Sequence, residues 1–524
     1  MEEQQLYNNT ERTVSPMVTF LSFLGVCVLL VLIMLLFPKD GIKIGNSTIQ
    51  FLTFNEFFLP EQSDSVASIE EDLAILFDSN VVVSEIDSTI IKHRLDSLKD
   101  FRASIQTNAK GKASINDFFA ALENANNKKV RIMHYGDSQI EADRITAYLR
   151  NELQIKFGGY GPGLFPVIPV ARKMSVNTEY SENWKRYAGF GVKDSSVTHK
   201  KYGALMAFCR YAPIPKTTVL SDSLSYEGWI KIHKPKGSYG RTRSYQQLRI
   251  FLSNSLTEVK YRITADGVDV NMGTIASNTP FKTITTLFEK TPEEITITFS
   301  GKDSPDIYGL SLEGNTGVVM DNIPLRGSSG TVFTKQDAGQ LGNMYASLSP
   351  SLIIMEFGGN TIPYTKSVKD AKAYGSWFQS QINFMKRLNP GAAIIVIGPS
   401  DMSVKEKTEY VTYEYLEAVR DAMKEAALNT GSLFWDMYEV MGGKNTMPKW
   451  VEADPPLAAP DYIHFSPKGA KKMAEEFSTK LFDLYNLYKD PNYKSKEPET
   501  KQDEKKQDET AQKTEKATLH DSIQ

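Results

Sequence analysis

VRIMHYGDSQIEADRITAYL, residues 130–149, decides the fold. Its first six residues are an apolar, β-favouring run that stops at Gly136, the pattern of a strand buried on both faces. Beyond it Ile145, Leu149 and Leu153 recur at helical spacing, so a helix over 139–154 is expected directly after the turn. Further strand-type runs stand at VVMDNI (318–323), SLIIMEF (351–357), AAIIVIG (392–398) and SLFWDM (432–437). Amphipathic helical patterns, SWFQSQINFMKRL (376–388) and YEYLEAVRDAMKEAAL (413–428), separate them. Alternating strands and helices imply a parallel sheet with helices on both faces, whose chemistry collects at the carboxyl ends of the strands.

Between residues 165 and 316 the period changes to two, in QLRIFLS (247–253), EVKYRITADGVDV (258–270) and EITITFSG (294–301), with turns such as Asp266-Gly267. That is the signature of an antiparallel β-sandwich inserted after the first strand–helix unit. Trp184, Tyr202, Trp229 and Tyr245 within it are either sandwich core or platforms for sugar rings.

The ends read differently from the middle. Residues 17–37 run without a charge, and 21 residues in helical form span roughly 30 Å, enough to cross a bilayer. The short segment 1–16 carries three acids and one Arg, and no small-x-small cleavage site follows the run, so an uncleaved anchor is expected rather than a signal peptide. Arg12 precedes the span and Lys39 and Lys43 follow it, so flanking charge gives no clear orientation. Residues 38–128 hold a strand-like IQFLTF (49–54) and helical patterns near 80–105 and 114–126, and read as a spacer or packing segment without chemistry. Residues 489–524 are nearly all Lys, Glu, Asp, Gln, Thr and Ser and are expected to be disordered.

Composition narrows the function. A net charge of −3 over 524 residues argues against a nucleic-acid binder. Two cysteines, Cys27 inside the apolar run and Cys209, exclude a disulfide framework or a Cys-based zinc site, and the six histidines contain no His-x-x-x-His pair. No metal and no organic cofactor are expected.

Four strand ends carry candidate chemistry. Ser138, in the turn after the first strand, reads either as a nucleophile beside free helix N–H groups or, with Glu141, as a capping box. Asp461 and His464, in DYIH ahead of Pro467, read either as a base held by a carboxylate or as a surface loop before a helix. Gly327, after the second strand, and Asn360, in GGN after the third, suit either turns or donors to a developing negative charge. His134, four residues into a strand, reads as structural. Taken together in the order Ser, Gly, Asn, Asp-x-x-His, they form one constellation.

With GDSQ (136–139), Gly327, GGN (358–360) and DYIH (461–464), the sequence resembles the SGNH, or GDSL-type, hydrolases. The likeness covers roughly 128–164 and 317–485. It implies a three-layer α/β/α domain over 129–164 and 317–488, with Ser138 as nucleophile and His464 as base supported by Asp461. The oxyanion hole it implies is the N–H groups of Ser138 and Gly327 with the Asn360 side chain. Gln139 stands where the GDSL pattern has Leu, which leaves the substrate-binding residues unassigned. GDSQIEADRITAYLRNELQIKFGGYGPGL, the β-rich insertion, DNIPLRGSSG and GPSDMS (398–403) are together similar to the peptidoglycan O-acetylesterases, which carry a carbohydrate-binding-like sandwich at that point. The implied substrate is an acetylated glycan outside the cytoplasmic membrane, and this places the globular part in the periplasm or cell exterior on a single-pass anchor. An O-acetyltransferase, a lipid or thioester hydrolase, and an inactive glycan-binding scaffold stay open as alternatives. Protein partners, and any partner of the C-terminal tail, are not assigned.

Overall fold

The computed structural model describes residues 102–495, with Met17 and the short stretches 42–44 and 47–49. Two compact units divide between residues 94 and 95. In the first, Ile42–Ile44 and Ser47–Ile49 pair as an antiparallel hairpin. The 17–37 span beyond Met17, the 49–54 strand beyond Ile49, nearly all of the 80–105 helix and the tail after 495 lie outside the described residues. Among the described residues no helix is long and apolar enough to cross a membrane.

The second unit is built on a six-stranded sheet of β1 (Ile105–Gln106), β2 (Lys129–Gly136), β3 (Gly317–Pro324), β4 (Pro350–Glu356), β5 (Ala393–Ile397) and β6 (Leu433–Trp435). The spatial order is β3-β2-β4-β5-β6-β1, parallel throughout except where β1 joins β6. The helices are α1 (Ala109–Glu123), α2 (Thr146–Phe157), α3 (Ala338–Leu348), α4 (Val368–Leu388), α5 (Leu416–Asn429) and α6 (Pro467–Lys489). Alternate strand residues part to the two faces. Ile132, Ile354 and Ile395 join one buried cluster with Phe118 and Phe119 of α1, Leu153 of α2 and Phe477 of α6. Met133, Ile353 and Ile394 join the other with Met344 of α3, Phe378 of α4 and Met423 of α5. Three layers follow from strands that are apolar on both faces.

The first helix differs from its expected form. Ser138–Asp143 is a short 3-10 segment, broken by Glu141 at ψ 159° and Ala142 at φ 56°, and the α-helix begins only at Thr146. Leu149 and Leu153 are still buried on α2, so the stripe is real while its first turn is not. Strand β6 is also shorter than SLFWDM, because Asp436 leaves it to cap the helix Met437–Met441 by accepting from the Glu439 N–H.

The insertion folds as two facing antiparallel sheets, one of five strands and one of six, around a buried cluster that includes Ile250, Ile263, Ile297 and Phe299. Gln247–Ser253 and Glu294–Gly301 are strands over the expected spans, and Asp266-Gly267, at φ 49° and 82°, forms the tight turn between Val259–Ala265 and Val268–Ile275. Trp184, Tyr202 and Tyr245 are buried and Trp229 is half-buried, so the first three are core. The chain leaves the α/β unit through GGYGPG, where Gly159 has φ +107° and a Cβ would meet the Val318 carbonyl oxygen at 2.3 Å. A buried charge cluster binds the two ends of the insertion to the sheet. Arg131 of β2 pairs with Asp321 of β3 at 2.6 Å and with Glu313 of the last sandwich strand at 2.7 Å, while Asp321 also accepts from the Leu164 N–H. Removing either carboxylate would leave a buried guanidinium short of a partner, so the join is specific.

Candidate active site

Strands β2, β3 and β4 all end on one edge of the fold, and three of the four candidate elements stand there. Ser138 follows β2, and its Oγ lies 2.8 Å from Nε2 of His464, 326 residues away in sequence. Nδ1 of His464 lies 2.7 Å from Oδ2 of Asp461. The other Asp461 oxygen accepts the Ile463 and His464 backbone N–H groups, both at 3.0 Å. One carboxylate thus folds its own loop and orients the ring. Burial works to raise the Asp461 pKa, but the bonds from His464 and Ile463 outweigh it and hold the group below its usual value. The side chains of His464 and Asp461 are 32% and 47% exposed, so the pair opens to solvent.

The capping-box reading of Ser138 does not hold. Asp137 is the residue whose side chain accepts from the Gln139 N–H, and Glu141 turns to a bidentate pair with Arg326 at 2.5 and 2.6 Å. Ser138 is left to His464. In the second loop, Ser466 caps α6 by accepting from the Gly469 N–H and Pro467 opens the helix, so His464 stands in the loop as expected.

Asn360 is brought to the same place. Its Nδ2 donates to Asp137 Oδ2 at 3.1 Å and to the Ser328 carbonyl at 3.2 Å, next to Gly327 at φ +75°. Both amide hydrogens are engaged, so donation to an oxyanion requires that one be redirected. Burial, with Glu356 close by, pushes the Asp137 carboxyl up to about 7 against the bonds from Gln139 and Asn360. His134 is fully buried between Glu356 (3.0 Å) and Thr146 (3.0 Å), a structural role.

Ser138, His464 and Asn360 border a cavity of about 180 Å³ walled by Phe357, Pro399, Met402, Met437 and Ile463, with Tyr364 at the rim. Tyr364 is 80% exposed. Gly327 is not part of that wall. Among the described residues no cluster of His, Cys, Asp and Glu suited to a metal ion is found. Cys209 is buried in the sandwich, and burial pushes its thiol up to about 11.

Residues left without a role by the sequence hold the site together. The Gln139 carboxamide donates to the Ile463 carbonyl at 2.7 Å and accepts the Phe465 N–H at 3.2 Å, gripping the chain on both sides of His464. It also reaches the Ser400 Oγ at 3.3 Å. Arg144 ties the Ser138 carbonyl (2.6 Å) to the Phe465 carbonyl (3.1 Å). Tyr462, at φ 58°, stacks on Tyr410 with ring centres 3.5 Å apart, and its carbonyl accepts the Ser403 N–H. The polar Gln139 at a position otherwise apolar was the one sequence signal of this framework. No periodicity links Tyr410 to Tyr462.

Comparison with known proteins agrees with this architecture. Residues 296–472 match the model of the GDSL-like lipase/acylhydrolase family. That span contains Gly327, Asn360 and His464, whereas Ser138 lies before the insertion and outside it. None of the curated proteins compared matches the chain. Among solved structures, a peptidoglycan O-acetylesterase superposes with a TM-score of 0.55 at 19% identity, over 73% of this chain and 99% of that one. At such identity the likeness speaks for the fold. A family two carbohydrate esterase from Clostridium thermocellum, in complex with cellohexaose, gives a TM-score of 0.22 at 10% identity, over 50% of this chain and 95% of that one, and carries no argument. Over residues 296–472 the chain is thus similar to the GDSL-like lipase/acylhydrolase family, and its α/β unit, interrupted by the sandwich, shares the fold of the peptidoglycan O-acetylesterase.

Proposed function

We propose that the protein is a serine esterase that removes O-acetyl groups from a glycan outside the cytoplasmic membrane, with peptidoglycan the first candidate. The observation that carries this reading is the hydrogen-bonded chain of Ser138, His464 and Asp461 beside a small cavity of mixed polar and apolar lining. Drug-sized ligands take pockets of about 300–1,000 Å³, so a cavity of about 180 Å³ favours a short acyl group over a lipid chain.

In the proposed reaction His464 Nε2 takes the hydroxyl proton as Ser138 Oγ attacks the acetyl carbonyl. Asp461 holds the ring tautomer that leaves Nε2 free to accept. In this proposal the tetrahedral oxyanion is received by the Ser138 N–H and by one Asn360 amide hydrogen redirected from Asp137 or the Ser328 carbonyl. The Gly327 N–H, outside the cavity wall here, is the third donor, each such donor being worth about 3 kcal/mol where measured. Protonated His464 then releases the sugar hydroxyl, leaving acetyl-Ser138. Water, deprotonated by His464, attacks that ester and frees acetate. Residues 17–37 would anchor the chain in the cytoplasmic membrane, with the globular part facing the periplasm or exterior. This placement is supported by the substrate, not by flanking charge.

The test compares p-nitrophenyl acetate hydrolysis by the wild type and Ser138→Ala. A measurable wild-type rate that the variant loses is expected. Equal, negligible rates would leave a glycan-binding scaffold instead, and net gain of acetyl groups on a glycan supplied with an acetyl donor would make the protein a transferase.

A further inference from the structure

In the sandwich, the strand Asn177–Tyr180 borders the five-stranded sheet beside Tyr226–His233. Where the chain enters the first and leaves the second lies a groove of about 590 Å³ walled by Arg172, Lys173, His233, Lys234 and Lys236, with Glu179 its one acidic residue. A second hollow of about 260 Å³ continues from it and shares Arg172 and Lys173. Two of these basic residues face carboxylates. Lys234 pairs with Glu293 at 2.7 Å, and His233 lies 3.4 Å from both Glu179 and Glu294. Arg172 and Lys236 are exposed, and among the described residues neither has an ion-pair partner. Lys173 is buried, and its Nζ bonds only the Asn322 main-chain carbonyl, at 2.6 Å. Asp143 and Asp321 lie close enough to favour its charge without pairing with it. In a chain of net charge −3, the unpaired Arg172 and Lys236 make this groove locally positive.

The groove also has a place relative to the reaction. Asn322 lies on β3 in register with His134, and β3 ends at Pro324 opposite Gly136, two residues before Ser138. Lys173, bonded to Asn322, therefore stands near the carboxyl end of β3, the same end of the sheet that carries Ser138. The wall is concave rather than flat, which suits a strand lying in it better than a bilayer pressed on it.

We propose that this groove is a subsite for a carboxylate-bearing glycan strand, with Arg172 and Lys236 holding acid groups along the strand from the acetylated sugar at Ser138. The proposal rests on the esterase reading and narrows it from glycans in general to anionic ones.

The experiment uses the full chain and the double variant Arg172→Ala/Lys236→Ala, two exposed positions whose loss leaves the fold intact by melting temperature. Three substrates are compared: O-acetylated peptidoglycan strands, neutral acetylated xylan and p-nitrophenyl acetate. The expected result is a rise in KM of about tenfold on the anionic strands with kcat kept, and no change on the other two. Raising salt from about 0.05 to 0.5 M should increase the wild-type KM on the anionic strands and leave that of the variant nearly flat. An unchanged KM on the anionic strands overturns the proposal. So does an unchanged KM joined to lost binding of phosphatidylglycerol vesicles, which would assign the groove to a membrane. Direct titration with de-O-acetylated strands is read independently of catalysis. If the wild type proves inactive on every ester, that titration still decides the groove, and the failure belongs to the Ser138 reading alone.

Discussion

Replacing Gln139 by Leu, the residue of the GDSL pattern, tests how far catalysis depends on the grip around His464. The swap nearly keeps side-chain volume, so packing changes little. It removes the donor to the Ile463 carbonyl at 2.7 Å and the acceptor of the Phe465 N–H at 3.2 Å, along with the long contact to Ser400. Each neutral hydrogen bond is worth about 1 kcal/mol net, so the two good ones together are worth about 2 kcal/mol. If that sum is what keeps the imidazole within reach of Ser138, kcat should fall roughly 30-fold at a factor of ten per 1.36 kcal/mol. KM for p-nitrophenyl acetate should change by less than about twofold, because Gln139 acts through His464 and not on the acyl group. The assay is steady-state hydrolysis over a pH series, with melting temperature measured in parallel. A kcat within about twofold of wild type, or a loss that follows the unfolded fraction at each temperature, would refute the reasoning.

Asp461→Asn should keep the fold, since the side chain is half exposed, and lower kcat by about 10²–10⁴ through loss of the ring's orientation, measured on the same ester. Asp137→Asn should change the pH dependence of stability. The carboxyl is raised to about 7 in the fold from 3.8, so the native state binds more protons than the unfolded chain between those values, and stability declines as pH rises through them. Asn keeps an acceptor for the Gln139 N–H, so the variant should gain on the wild type from pH 4 to pH 8, by about 4 kcal/mol at most, in urea unfolding at each pH. Tyr410→Ala removes the ring that supports Tyr462 and should lower kcat about fivefold, with Tyr410→Phe restoring it.

Where burial alone chose the residues, the elements are found at the expected positions. Glu294–Gly301 alternates cleanly because one face meets the sandwich core, Gln247–Ser253 is buried almost throughout, and Leu352–Met355 of β4 and all of β5 are apolar because both faces are covered. The pattern fails where a polar contact from far along the chain decides the backbone. Ile145, Leu149 and Leu153 are all buried, so the segment after Ser138 looks helical, yet Glu141 swings out to Arg326 and breaks the first turn. Strand β1, two residues long, has no periodicity to show. At the site, residue types suggested Ser138, Asn360, Asp461 and His464, and the fold brings all four to one edge. The grip of Gln139, the Arg144 bridge and the Tyr410–Tyr462 stack depend on contacts across the chain that no local spacing encodes.

The separation of Ser138 from His464 by 326 residues also bears on the order of assembly. Strand β2 is made early, but its neighbour β3 follows only after the whole sandwich, and contacts this distant must wait on long-loop closure. During synthesis the early strand stays without its partner while the insertion folds as a unit, and the base arrives later still. A partly made chain therefore holds a hydroxyl with no base beside it. Esterase activity, once measured, would report that both halves of the divided sheet have met, which makes it a sensitive clock for the last steps of folding.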